Sequence, residues 1–177
     1  MVVGNPKQRL EALAKDVDIY ITNREQVKWL VDFYRTDWPF DTVVIDESSS
    51  FKDASTQRFK ALKKVSTKIK RLIELTGTPA PNNLMNLWPQ IYLMDQGERL
   101  GKTVSQFRER YFYPGSKNGH IVYEWILKPE AEKQIYEKLD DLCVSMKAKD
   151  YLKLPPRTDN VIEVEMTAAE QKQYRSM

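Results

Sequence analysis

Two short segments carry the residue types that could do chemistry. Thr42-Val43-Val44-Ile45 runs into Asp46-Glu47-Ser48-Ser49, and about thirty residues later Leu75 runs into Thr76-Gly77-Thr78-Pro79-Ala80-Pro81-Asn82. Each is an apolar or β-branched run that stops abruptly in polar residues and a turn, the pattern of a buried parallel strand that delivers groups at its carboxyl edge. Adjacent carboxylates at such an edge can divide the work of a magnesium–nucleotide site. One holds the metal, directly or through water, while its neighbour orients or deprotonates the attacking water. Asp46 and Glu47 are therefore candidate catalytic residues, with Asp46 the candidate Mg²⁺ ligand. A solvated acidic strand end fits the same pair, and two residues alone do not choose between these readings. With one histidine, His120, and one cysteine, Cys143, the chain has no zinc-type ligand set, so catalysis would rest on carboxylates, a bound metal and a nucleotide.

The elements that must position these residues follow from the flanking pattern. Pro6–Lys15 reads as a helix with Leu10, Leu13 and Ala14 inward, Asp18–Thr22 as a short strand, and Arg24–Tyr34 as a helix with Asn23 as its cap. Between Lys52 and Arg71 stand eight basic residues and one acid, Asp53. Phe59, Leu62, Val65 and Ile69 recur there at helical spacing, which predicts an amphipathic helix with a basic outer face. Lys60, Lys63 and Lys64 are candidate DNA contacts on that face, which equally suits a solvated helix surface. Asn82 or Asn83 can cap the next helix, packing Leu84, Leu87, Trp88 and Ile91 inward, with Pro89 in a first turn or at a kink. Thr103–Tyr111 reads as a helix, Gly115–Gly119 as a turn-rich linker, His120–Leu127 as a strand or hairpin arm, and Pro129–Leu142 as a helix. Strands alternating with helices through short connections indicate a parallel α/β sheet.

The two polar strand ends, in this order and spacing, resemble motifs II and III of superfamily-two helicases of the Swi/Snf type. Asp46, Glu47, Lys52, Leu75 to Asn82 and Leu87-Trp88 carry the resemblance. Ser105 to Phe112, Leu154 to Arg157, Val161 to Thr167 and Gln171 to Tyr174 extend it downstream, and Asp18 to Glu25 resembles motif Ib upstream. The resemblance implies a partial RecA-like parallel-sheet lobe (P-loop NTPase helicase type) over residues 1–114, with a mainly helical protrusion and a lead-in to a second lobe over 115–177. It implies that Asp46 engages the Mg²⁺ of Mg-ATP and Glu47 handles the hydrolytic water. Thr76, Gly77 and Thr78 would couple hydrolysis to movement, although they also suit a plain strand-to-helix turn. Thr22 and Asn23 become candidate DNA contacts. The implied partners are ATP and double-stranded DNA, and the implied parent is a bacterial or phage ATP-dependent translocase acting in the cytoplasm of the bacterial or phage-infected cell. Ser48 and Ser49 depart from the Ala-His of the DEAH form and cannot supply a charged imidazole.

Other expected parts are missing from the sequence. No G-x-x-x-x-G-K-[ST] phosphate loop occurs, nor a Q-x-x-G-R-x-x-R segment that would supply an arginine finger. Gly97-Glu98-Arg99-Leu100-Gly101-Lys102-Thr103 has three residues between its glycines instead of four and follows no apolar strand, so it reads as a loop and helix start. The chain thus reads as an internal motor fragment, inactive toward ATP by itself. The rival reading is a nonenzymatic DNA- or protein-binding module derived from a helicase lobe. No apolar run approaches the length of a membrane span, and no signal-peptide pattern opens the chain. Net charge is +3. Cys143, in an apolar helical-looking context, reads as a small buried hydrophobe, and an uncovered sheet edge offers a surface for a homodimer.

Overall fold

The computed structural model describes residues 1–77, 80, 83–119, 121–146, 158, 160 and 166–176. It contains two compact units, Met1–Leu142 and Cys143–Met177. The first opens with α1 (Pro6–Leu13), started by Pro6 and by a reciprocal cap in which Asn5 Oδ1 accepts from the Gln8 amide at 3.0 Å and Gln8 Oε1 accepts from the Asn5 amide at 2.9 Å. After α2 (Val27–Tyr34), β1 (Thr42–Asp46) and α3 (Gln57–Val65), the chain returns through β2 (Arg71–Leu75) to lie parallel to β1, in register from Thr42 opposite Arg71 to Asp46 opposite Leu75. Two parallel strands joined by a helix are the α/β unit expected of a partial RecA-like lobe.

The core forms where the helical stripes meet one face of this sheet. Phe59, Ala61, Leu62 and Val65 of α3 are buried, with Phe51, Ile45 and the long apolar side of α4 (Leu87–Asp95). Trp88 is core, as its place on the stripe predicts: it is 3 % exposed, its ring lies 4.8 Å from that of Tyr92, and its indole N–H donates to the Gly101 carbonyl at 2.9 Å. Pro89 sits in the first turn of α4, where its missing N–H costs no helical bond, and a 3₁₀ turn (Leu84–Asn86) capped by Asn83 leads in. Thr103 caps α5 (Val104–Tyr111), accepting from the Gln106 amide at 3.2 Å. Residues 112–127 then fold back as β3 (Phe112–Pro114) against β6 (Trp125–Leu127), and β4 (Lys117–Asn118) against β5 (Ile121–Val122). The stretch expected to be a turn-rich linker is thus part of an antiparallel hairpin, because strand-forming residues lie on both sides of it. Ala131, Ile135 and Leu139 seat α6 (Ala131–Leu139). In the second unit the described helix is α7 (Ala168–Arg175), which Thr167 caps reciprocally with Glu170.

Several expectations need correction. Asp18–Thr22 forms no strand. Its backbone link is one bond, Val2 N–H to the Ile21 carbonyl at 2.7 Å, and Ile19 and Ile21 stay exposed, so no ladder closes around them. Asn23 stands before a 3₁₀ turn (Arg24–Gln26) and makes no side-chain capping bond. In α1, Leu10 and Ala14 are exposed while Arg9 is buried, its guanidinium 4.2 Å from the Trp29 ring centroid and bonded to the Gln26 side chain. Stacking on an aromatic face lets arginine bury its planar group where an aliphatic pattern would have placed leucine. Cys143 is exposed. Among the described residues, no helix is long and apolar enough to cross a membrane. His120, Lys147–Lys149, Leu154–Arg157 and residues 161–165 lie outside the described residues.

Candidate active site at the strand edge

Because β1 and β2 are parallel and Asp46 pairs with Leu75, Asp46-Glu47 and Thr76-Gly77 leave the sheet side by side at the same carboxyl edge. Neighbouring strands lie about 4.8 Å apart, so two sequence segments thirty residues distant become one locus. The exposed Asp46 accepts the Glu47 amide through Oδ1 at 3.0 Å. Glu47 itself is left-handed, with φ 54 and ψ 58, a conformation uncommon for a residue with a side chain and frequent where a turn must aim a group. Its carbonyl accepts from the Ser50 amide at 3.1 Å, opening a 3₁₀ turn (Ser48–Phe51), and its carboxylate accepts from the Ser49 hydroxyl. Phe51, 1 % exposed, and Ser48, 1 % exposed, anchor that turn in the core.

The serines that replace Ala-His therefore acquire distinct places. Ser49 contacts the Glu47 carboxylate at the surface, whereas Ser48 points inward and donates to Gln90 Oε1 of α4 at 3.0 Å. Gln90, 2 % exposed, in turn donates through Nε2 to the Asn86 carbonyl at 2.8 Å. On the neighbouring strand, burial pushes the Glu74 carboxyl up to about 8, opposed by a hydrogen bond with Ser48. Neither Gln90 nor Glu74 follows from the motif pattern. The available signals were a carboxylate inside an otherwise apolar strand and an amide on an otherwise apolar helix, each of which demands a buried partner.

Thr76 is half-buried and Gly77 exposed, and a side chain added at Gly77 would meet none of the described residues within 4 Å. Thr78 lies outside the described residues. Thr22 and Asn23 belong to a different segment, and the Thr22 hydroxyl donates to the Val2 carbonyl at 2.9 Å, tying the chain's start to this turn. Lys60, Lys63 and Lys64 project from the exposed side of α3, and Lys63 Nζ also lies 4.3 Å from the Tyr92 ring centroid.

No cluster of three or more His, Cys, Asp or Glu side chains suited to a metal occurs among the described residues. The donor set is nevertheless of the kind Mg²⁺ uses, since that ion keeps several waters and takes one or two carboxylates with the substrate's phosphates. Asp46 is exposed and keeps one carboxylate oxygen beyond the one that holds the Glu47 amide. The Gly97–Thr103 segment provides no phosphate cradle. A side chain at Gly97, φ 80, would lie 2.4 Å from the Gly101 carbonyl oxygen, Leu100 is buried, and Thr103 caps α5, so its glycines serve a tight turn.

The SNF2-related domain profile matches residues 1–177. Putative protein p41 of Acyrthosiphon pisum secondary endosymbiont phage 1 is 35% identical over 182 residues, covering 99% of this chain and 40% of the phage protein. Helicase SWR1 of Yarrowia lipolytica is 32% identical over 71% of this chain and 7% of its own length. The ISWI chromatin-remodeling complex ATPase CHR11 of Arabidopsis thaliana is 25% identical over 99% of this chain and 16% of its own. The chain thus spans less than half the length of each of these relatives.

Proposed function

From the premise that the chain belongs to the SNF2-related family, we propose that it is part of the first motor lobe of an ATP-dependent translocase on double-stranded DNA. Residues 1–114 are read as the partial lobe and 115–177 as the protrusion and lead-in to a second lobe. The observation that carries this reading is the parallel pairing that sets Asp46-Glu47 and Thr76-Gly77 on one edge.

Asp46 would hold Mg²⁺ through its carboxylate, directly or through water, and the ion held there with ATP would supply charge neutralisation for the phosphates. Glu47 orients the hydrolytic water and takes its proton, and its left-handed backbone, backed by the buried Ser48 and Phe51, sets where that carboxylate points. Thr76, Gly77 and Thr78 are assigned to coupling, since hydroxyls flanking a flexible glycine can exchange partners between the nucleotide side and the DNA side. Thr22, Asn23, Lys60, Lys63 and Lys64 are assigned to DNA. The assignment of Thr22 is supported only through its backbone and turn, because its hydroxyl already serves Val2.

These 177 residues by themselves should not turn over ATP, since transition-state charge must be stabilised by a phosphate loop and an arginine finger that their sequence does not contain. The same absence favours the second reading, a binding module that retains the lobe without its chemistry. ATP hydrolysis by the full-length protein that carries this chain, with and without duplex DNA and beside Glu47→Gln, separates the two. DNA-stimulated turnover lost in the variant supports the motor, and no turnover in the wild type supports the module. Sedimentation of the chain tests whether its uncovered sheet edge recruits a second copy.

A further inference from the structure

The proposed chemistry makes no use of Gln90. The residue sits in α4 among Leu87, Trp88, Pro89, Ile91 and Leu93, all buried, and is itself 2 % exposed. A primary amide buried on an apolar helix is costly unless its hydrogen bonds are made, and a leucine would fill the same place without that cost. What the amide adds is direction.

Its two ends are assigned by their partners. The Asn86 carbonyl can only accept, so the side-chain nitrogen faces it at 2.8 Å, and Oε1 is left toward Ser48, whose hydroxyl donates to it at 3.0 Å. Asn86 closes the 3₁₀ turn that leads into α4 on the Thr76-Gly77 side of the helix. Ser48, 1 % exposed, follows Glu47 directly and opens the Ser48–Phe51 turn, which packs on α4. The amide thus joins the lead into α4 to the turn after the first strand edge, across 42 residues of sequence.

That turn carries a residue that needs holding. Glu47 stands at φ 54 and ψ 58, where a side chain is disfavoured, and an unsupported turn would relax out of this region. Phe51 anchors the turn by apolar contact, which has no preferred direction. A hydrogen bond to the residue next to Glu47 also resists rotation, because it weakens steeply as its angle closes. We propose that Gln90 is a positioning residue for Glu47: anchored on the Asn86 carbonyl, it holds the Ser48 hydroxyl and so fixes the left-handed turn that aims the Glu47 carboxylate.

The structural part is tested on the 177-residue chain by NMR, reading the φ of Glu47 from its amide–Hα coupling and its Cα and Cβ shifts. Gln90→Leu and Ser48→Ala each release Glu47 from the left-handed region. Each also lowers the urea midpoint, because it deprives a buried polar group of its partner, whereas the double variant Ser48→Ala/Gln90→Leu removes both groups and regains most of that loss. Glu47 remaining left-handed in both single variants would overturn the proposal. Should Gln90→Leu fail to fold, Ser48→Ala breaks the same link from the other side and decides alone. The kinetic part rests on the motor reading and uses the full-length protein. There kcat falls roughly ten- to a hundredfold in each single variant and KM for ATP is unchanged; the double variant is no slower than the slower single, since all three lose one and the same link. Its rate stays low although its stability returns. A kcat that recovers together with the urea midpoint in the double variant would give Gln90 a merely structural role and overturn the proposal, as would an unchanged kcat in Gln90→Leu. Absence of turnover in the wild type would instead count against the motor reading, with the NMR result still deciding whether Gln90 positions the turn.

Discussion

The two faces of the β1–β2 sheet are built from the same alternating residues and have opposite fates. One carries Val43, Ile45, Leu72 and Glu74 and lies against the core, with Ile45 8 % exposed; the other carries Val44, Asp46, Ile73 and Leu75, with Val44 56 %, Ile73 40 % and Leu75 49 % exposed. Apolar content does not separate them. What differs is cover: the stripes of α3 and α4 reach one face, and no described element covers the other. The comparison also separates the acids. Asp46, at the edge of the bare face, is exposed, whereas Glu74, on the packed face, is desolvated, which pushes its carboxyl up.

The sharpest way to break this contrast is at the edge itself. Glu47→Gln should cut DNA-stimulated ATP turnover of the full-length protein by at least about a hundredfold, the usual scale for losing a general base, while leaving the urea midpoint unchanged or higher. Within the sheet, Ile45→Ala should cost about 2–4 kcal/mol in urea unfolding and Val44→Ala less than about 1, because only the first opens a cavity. Equal costs would mean that the bare face is covered in solution. The buried acid also gives the fold a pH response. Glu74 is raised from 4.5 to about 8 in the folded chain, so the fold keeps a proton that the unfolded chain releases. Its stabilising effect is complete below pH 4.5 and declines as pH climbs toward 8, by at most about 1.4 kcal/mol per pH unit. Glu74→Leu should flatten that part of the stability–pH curve, leaving the variant roughly 2–3 kcal/mol more stable relative to wild type at pH 7 than at pH 4. The smallest effect belongs to the outer face of α3. Replacing Lys60, Lys63 and Lys64 with alanine should weaken duplex binding equally for all sequences, and each lysine that contacts a phosphate should lower the salt slope by about one. An unchanged slope would identify that face as merely solvated.

Much of this architecture was legible from residue pattern. β1 ends at Asp46 as its composition predicts, α3 buries Phe59, Leu62 and Val65, and Asn83 and Thr103 act as caps because their side chains can replace missing backbone partners. Local rules failed where a distant partner decided the outcome. Arg9 is buried because Trp29 offers it a ring, a fact no helical period contains. Asp18–Thr22 has strand composition without a ladder to join, and Asn23 has a capping residue's chemistry before a turn that does not use it. At the site, the motif pair located Asp46 and Glu47 but gave Ser48 only as a departure from DEAH. Its burial against Gln90 and Glu74 depends on contacts 42 and 26 residues away in sequence, beyond the reach of any periodicity.

The left-handed backbone at Glu47 also bears on how this protein would respond to selection in the laboratory. At φ 54 a glycine or asparagine relieves strain that glutamate carries, by up to about 1 kcal/mol. A library screened only for thermal tolerance or soluble yield would therefore be drawn to replace this residue early. Improved variants of that kind would be enriched in proteins that have lost the carboxylate aimed at the strand edge.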